Sequence, residues 1–106
     1  MPGINVPTAS IVLVNYNGWA DLQRCLASLL ADPFCAGEQC EILLLDNGSQ
    51  DGSAEWAAAA FPSVQVLRSA ANLGFGAGNN LAAGHARGEY LAFLNPDTEV
   101  EPGWLE

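Results

Sequence analysis

The chain contains no lysine, and its three arginines face twelve acidic residues, for a formal charge of −9. Nucleic-acid phosphates and anionic lipid need a cationic surface that this composition does not offer, so DNA, RNA and membrane-surface binding are poor readings. The absence of lysine also removes the Walker loop, which holds phosphate with one. Histidine occurs once, as His85, which leaves a histidine metal cluster or a Ser-His-Asp triad without support and predicts a histidine on a helix surface. Cysteine occurs three times, at Cys25, Cys35 and Cys40, an odd number without CxxC spacing. Free thiols in a reducing compartment are expected, with Cys35 and Cys40 flanking Gly37 closely enough to pair under oxidation. No apolar run approaches the roughly 20 residues of a spanning helix, and residues 1–10 lack the basic and apolar regions of a signal peptide; a cytoplasmic location is expected.

What is present is a large apolar share, 50% hydrophobic against 14% charged over 106 residues, enough for one domain spanning residues 1–106 with its own core. Residues 10–15, Ser-Ile-Val-Leu-Val-Asn, form a β-branched run of strand length between Pro7 and Asn17-Gly18. Leu22, Cys25, Leu26 and Leu29 then recur at helical spacing, with Asn17 as the expected cap and Pro33 just beyond the end. Residues 41–45 read as a second strand and the alanine-rich 53–60 as a second helix, with Asp51 capping it and Pro62 stopping it. Residues 64–68 are a short strand, 74–86 a small-residue helix able to pack closely on a sheet, and 90–94 a fourth strand. The segment 32–39 is the expected mobile loop. This β-α-β-α-β-α-β order predicts an α/β fold: a mostly parallel sheet with helices on both faces.

Parallel strands put all their carboxyl ends on one edge, where open α/β sheets bind ligands. Asn15, Tyr16 and Asn17, then Asp46 and Asn47 with Gly48-Ser49, then Arg68 and Asn72, and finally Asn95-Pro96-Asp97 are predicted to meet there. The opposite strand ends carry less distinctive residues such as Ala9 and Cys40.

Hard cations such as Mg2+ and Mn2+ take oxygen ligands, commonly one or two carboxylates plus substrate phosphates, and Asp97 is the candidate ligand. With so few cationic side chains, a divalent ion would supply most of the neutralisation of a nucleoside diphosphate, and Arg68 one direct contact. Asn95-Pro96-Asp97 equally suits an ordinary turn. Asp46, at a strand end, suits a ring N–H or a ribose hydroxyl. Asp51 fails as part of a calcium loop, because its neighbours do not alternate oxygen ligands. The glycine-rich residues 72–80 carry Asn79 where a dinucleotide fingerprint needs glycine, and they precede the third helix rather than follow the first strand.

Taken together, Val14-Asn15-Tyr16-Asn17, residues 46–53 (Asp-Asn-Gly-Ser-Gln-Asp-Gly-Ser), residues 72–79 (Asn-Leu-Gly-Phe-Gly-Ala-Gly-Asn) and Leu94-Asn95-Pro96-Asp97-Thr98 resemble, in register, the family 2 glycosyltransferases, and rhamnosyltransferase-like members in particular. The resemblance runs from about Ser10 to the last residue. It implies a GT-A fold, a nucleotide-diphosphate sugar donor such as a dTDP- or UDP-sugar, a divalent cation (Mg2+ or Mn2+), inversion at the anomeric carbon, and work on cell-envelope polysaccharide at the inner face of the membrane. By position it implies that Asn15, Tyr16 and Asn17 line the nucleoside pocket and that Asp46 faces the base. Asn72, Gly74 and Asn79 match the donor-site segment, and Asp97 the metal-binding aspartate of an Asp-x-Asp motif. Asn95 stands where that motif has its first aspartate, a change the rhamnosyltransferase-like members share. The family's acceptor site and general base lie beyond residue 106, so the chain is expected to be a donor-binding portion, truncated at its C-terminus and inactive alone, with a glycan or lipid-linked acceptor for the full enzyme. Two other readings stand beside this one. The first is a noncatalytic α/β domain that binds nucleotide or forms a homo-oligomer through an open sheet edge. The second is a nucleotidyltransferase, whose basic loop near the first strand is missing from residues 15–19.

Overall fold

The computed structural model describes residues 7–37, 39–101 and Trp104; most of the segment read for targeting signals, residue 38, and residues 102–103 and 105–106 of the C-terminal end lie outside the described residues. Its elements run β1 (Ala9–Asn15), α1 (Trp19–Ala31), α2 (Pro33–Ala36), β2 (Cys40–Asp46), α3 (Ser53–Ala60), β3 (Gln65–Arg68), α4 (Phe75–Ala83) and β4 (Tyr90–Leu94). The four strands form one sheet in the order β3-β2-β1-β4, and every pairing is parallel. The structure is the α/β architecture that the alternation of strands and helices predicts.

Strand side chains alternate between faces, and both faces of β1 and β2 are covered, which is why these strands read as unbroken apolar runs. On one face, Ile11, Leu13, Ile42 and Leu44 meet Leu22, Cys25, Leu26 and Leu29 of α1 and Ala57 of α3. On the other, Val12, Val14, Leu43 and Leu45 meet Ala82 of α4. Each fully buried leucine contributes roughly 1.5–3 kcal/mol of apolar transfer, so the α1 stripe alone fixes that helix to the sheet. Gly78 lets α4 come close on its face: a Cβ there would stand 3.1 Å from both Leu45 and Val14.

Three local expectations change. Asn17 does not cap α1; it takes a left-handed φ of 50° and turns its side chain outward to another loop, so that Gly18 precedes the helix and no side chain caps it from that position. The helix predicted over 74–86 is shorter at both ends, because Gly74 has φ 87° and ψ 166°, which no helix accepts, and the chain leaves α4 at Gly84 through a bond from His85 N to Ala82 O. The segment 32–39, read as a loop, carries the single turn α2, where Asp32 accepts a bond from Cys35 N at 3.0 Å and Pro33 opens the turn.

Of the three free thiols, Cys25 and Cys35 are buried and Cys40 is half-buried. Burial pushes the Cys25 thiol up to about 12, with the charge of Asp97 adding to it. Cys35 also rises to about 12 through burial, although its sulfur accepts a bond from Trp104 Nε1 at 3.3 Å.

Candidate functional site at the carboxyl edge of the sheet

Register brings Asn15, Asp46 and Arg68 into one row across β1, β2 and β3. Beside them, β4 ends at Leu94 and the chain turns through residues 95–98, closed by a bond from Thr98 N to Asn95 O at 3.0 Å. All four strand ends therefore reach the predicted edge. Two hollows open there. A cleft of about 260 Å3 at the ends of β1 and β4 is lined by Asn15, Tyr16, Gly18, Asp21, Asn95 and Asp97, with Val14, Phe75 and Pro96. A wider hollow of about 430 Å3 at the ends of β2 and β3 is lined by Asp46, Ser49, Gln50, Arg68 and Ser69, with Gly48 and Ala70.

The loops around these hollows are laced together by side chains. Asp46 is buried; its Oδ1 accepts from Asn15 Nδ2 at 2.9 Å and its Oδ2 from Ser49 N at 2.9 Å. Asn17 N donates to Ser49 Oγ, and Gln50 N donates to Asn17 Oδ1, both at 2.8 Å. Asp51 accepts from Ser53 N at 3.0 Å, as its expected capping role requires, and also from Trp19 N at 3.2 Å, so one carboxylate serves the first turns of both α3 and α1. Burial works to raise the Asp51 carboxyl, but the bonds from Ser53 Oγ, Ser53 N and Trp19 N outweigh it and hold the group below the usual range. Asn47 bridges to the next loop, accepting from Leu73 N at 2.9 Å and donating to Gly74 O at 3.1 Å, while Asn72 Oδ1 accepts from Gly74 N at 2.8 Å.

The sequence-predicted residues thus divide. Tyr16, Asn95 and Asp97 present themselves to the cleft, and Arg68 to the hollow, where it is paired with Glu55. Its guanidinium holds the Glu55 carboxyl below the ordinary range. Asn47 is a buried clamp rather than a surface contact, and Asp46 is likewise committed to its neighbours. Asn72, Gly74 and Asn79 line neither of these two hollows; the first two shape the approach to α4, and Asn79 lies half-buried on it. Asp21 and Phe75 line the cleft although the sequence did not single them out. Asp21 lies in the first turn of α1, where Arg24 reaches it at 2.6 Å; the signal available was that a helix following a strand begins at the edge where that strand ends.

Among the described residues no three His, Cys, Asp or Glu side chains come together as a metal cluster. The donor set of the cleft is nevertheless oxygen-rich, with the exposed Asp97 carboxylate, Asp21 and the amide of Asn95. That fits an ion held by one or two carboxylates and completed by substrate phosphate, and it does not fit an ion caged by protein alone.

A sequence model described as Glycosyl transferase family 2 matches residues 10–106. Glycosyltransferase AglE of Haloferax volcanii is 31% identical over 95% of the chain, and the N-acetylglucosaminyl-diphospho-decaprenol L-rhamnosyltransferase of Mycobacterium tuberculosis is 33% identical over 91%. The chain spans 34% of the length of each. Among solved structures, residues 1–349 of S. aureus TarS in complex with UDP-GlcNAc superpose with a TM-score of 0.84 at 23% identity, covering 92% of this chain and 29% of that one. The mannosyltransferase PcManGT of Pyrobaculum calidifontis, in complex with GDP-Man and Mn2+, gives 0.79 at 19% identity, covering 88% and 28%. These likenesses establish the fold.

Proposed function

The chain belongs to glycosyl transferase family 2, and from that premise we propose that it binds a nucleotide-diphosphate sugar and a divalent cation for an enzyme that transfers the sugar to an acceptor hydroxyl with inversion. The observation that carries the reading is the cleft at the carboxyl ends of β1 and β4, where Asp97 and Asn95 stand beside Tyr16 and buried Asn15. TarS binds UDP-GlcNAc and PcManGT binds GDP-Man with Mn2+ on the same fold, which supports a nucleotide-sugar donor and a metal here. UDP- and dTDP-sugars are the proposed donors, a glycan or lipid-linked hydroxyl the acceptor, and assembly of cell-envelope polysaccharide at the cytoplasmic face the setting.

Asp97, with Asn95 beside it, would hold Mg2+ or Mn2+, which would offset the negative charge that builds on the departing diphosphate. The remaining work belongs to the chain's own groups. Tyr16, exposed at the end of β1, offers a flat face to the base, and Asn15 a polar edge beneath it. Arg68 contacts the donor only after exchanging Glu55 for it. In-line attack by the acceptor on the anomeric carbon, with the nucleoside diphosphate leaving from the opposite side, would produce inversion. Calorimetric titration with UDP-, dTDP- and GDP-sugars, with and without Mn2+, tests this. Metal-dependent heat with at least one donor is expected, and none with any of them would defeat the reading.

A second reading draws on β4, one of the two edge strands, where Tyr90 is 67% and Phe93 53% exposed. An open strand edge is a template for association, so a noncatalytic domain that self-associates there is the alternative. Light scattering that finds oligomers in a chain that binds no nucleotide would favour it.

A further inference from the structure

Asp97 is exposed, yet the chain just beyond it is fastened to α1. Val100 N donates to Ser28 Oγ at 3.0 Å, and the Val100 side chain packs against the core on the α1 face of the sheet. The same hydroxyl gives its own proton to Cys25 O at 2.8 Å, one turn back in the helix. A helical serine commonly turns its hydroxyl to such a carbonyl, and a serine with only that role would stop there. Ser28 makes a second bond, to a backbone amide 72 positions away in sequence.

Through this bond α1 bears on both walls of the cleft. Asp21, in the first turn of α1, lines it directly, and Asp97 lines it from the turn after β4. Arg24 joins the two sides, reaching Asp21 at 2.6 Å and Glu99 at 3.6 Å, but these pairs are exposed and worth little alone. Ser28 lies four residues further along the same helix face, and its bond to Val100 is half-buried, where water competes less. Further on, Trp104 Nε1 donates to Cys35 Sγ of α2 at 3.3 Å, a third attachment of the chain after Asp97.

We infer that Ser28 is a positioning residue for the metal site: by holding Val100 N, its hydroxyl fixes where the turn 95–98 lies on α1, and so where the Asp97 carboxylate stands relative to Asp21. The inference rests on the proposal above that Asp97 is the metal ligand. A carboxylate on an exposed turn loses affinity to every other placement the turn can adopt, and bonds behind the ligand recover it by narrowing that choice. Without the hydroxyl, a half-buried amide would lack its acceptor, and the segment would shift to find another. Ser28 lines neither of the two hollows, so this role needs no contact with metal or nucleotide.

The test is the Mn2+ concentration at which nucleotide binding is half developed, from calorimetry of UDP, dTDP and GDP over a Mn2+ series. Ser28→Ala is expected to raise that midpoint about fivefold, the weight of one net hydrogen bond. At saturating Mn2+ its nucleotide affinity is expected to match the unmodified chain, whereas a fold loosened as a whole would lose affinity at every Mn2+ concentration. Alanine is the better helix former, so α1 and the circular dichroism spectrum are expected to persist. Ser28→Thr, which keeps the hydroxyl, is expected to restore the midpoint. A midpoint unmoved in Ser28→Ala, one moved as far in Ser28→Thr, or an affinity lost even at saturating Mn2+ overturns the assignment to Ser28 and leaves the metal reading standing. Nucleotide binding that Mn2+ leaves unchanged in the unmodified chain, or no binding at all, overturns both.

Discussion

Asp97 is exposed at the tip of the turn after β4, so its replacement separates function from folding. Asp97→Ala is expected to leave the circular dichroism spectrum intact and to make nucleotide affinity the same in Mn2+ as in EDTA. Metal-assisted binding that survives the substitution would put the ion on other residues. Gly88 makes the opposite case, with structure and no site. A Cβ on it would stand 2.6 Å from Ser10 N and 2.7 Å from Ala9 C, both backbone atoms of the central strand that cannot move aside. Gly88→Ala is expected to cost about 3 kcal/mol in a denaturant titration, at the upper end of ordinary overpacking. The sequence did not mark Gly88, since a glycine whose need is space alone resembles any turn glycine. It did mark Asn15, Tyr16, Asn95 and Asp97, because residues at strand ends inherit their position from the strand period. What it could not show was that Asn47 and Asp46 turn inward: that depends on which loop amides lie opposite, here Leu73 N and Ser49 N.

At the scale of elements, strand positions were legible because β1 and β2 are buried on both faces and read as apolar runs, and α1 because Leu22, Cys25, Leu26 and Leu29 repeat at the helical period. The start of α1 was not, for its support comes from Asp51, 32 residues away, and no local pattern encodes that bond. The same carboxylate serves α3. Its folded-state value lies below its ordinary one, so the unfolded chain takes up the proton more readily. The stability it lends is therefore present above the ordinary aspartate range and is lost as pH falls through that range toward the lower folded value. Asp51→Asn is expected to lower the denaturation midpoint at pH 7, and the gap to the unmodified chain to narrow steadily below about pH 4. A gap independent of pH would mean that the bonds, and not the charge, carry the effect.

For the whole molecule the governing quantity is the charge of −9, set against a ligand that is itself an anion. Long-range repulsion slows the encounter, and salt screens it over a Debye length of about 10 Å at 0.1 M. Association of a metal-free nucleotide is therefore expected to speed up as NaCl rises from 20 to about 200 mM in stopped-flow measurements, the reverse of a basic phosphate-binding protein. With Mn2+ neutralising the diphosphate, the slope is expected to flatten. The same charge opposes self-pairing at β4, where Glu89 and Asp97 flank the open strand.

The lacing of the edge loops through Asn17, Asn47, Asp46 and Asp51 has a consequence for how this molecule breathes. Amides in loops and at helix starts normally exchange their hydrogens with solvent almost freely, yet those of Trp19, Ser49, Gln50 and Leu73 each end on a side-chain oxygen. To exchange, they must wait for an opening that unfastens a neighbouring loop as well. In deuterium labelling they are expected to keep time with the sheet, as one cooperative unit.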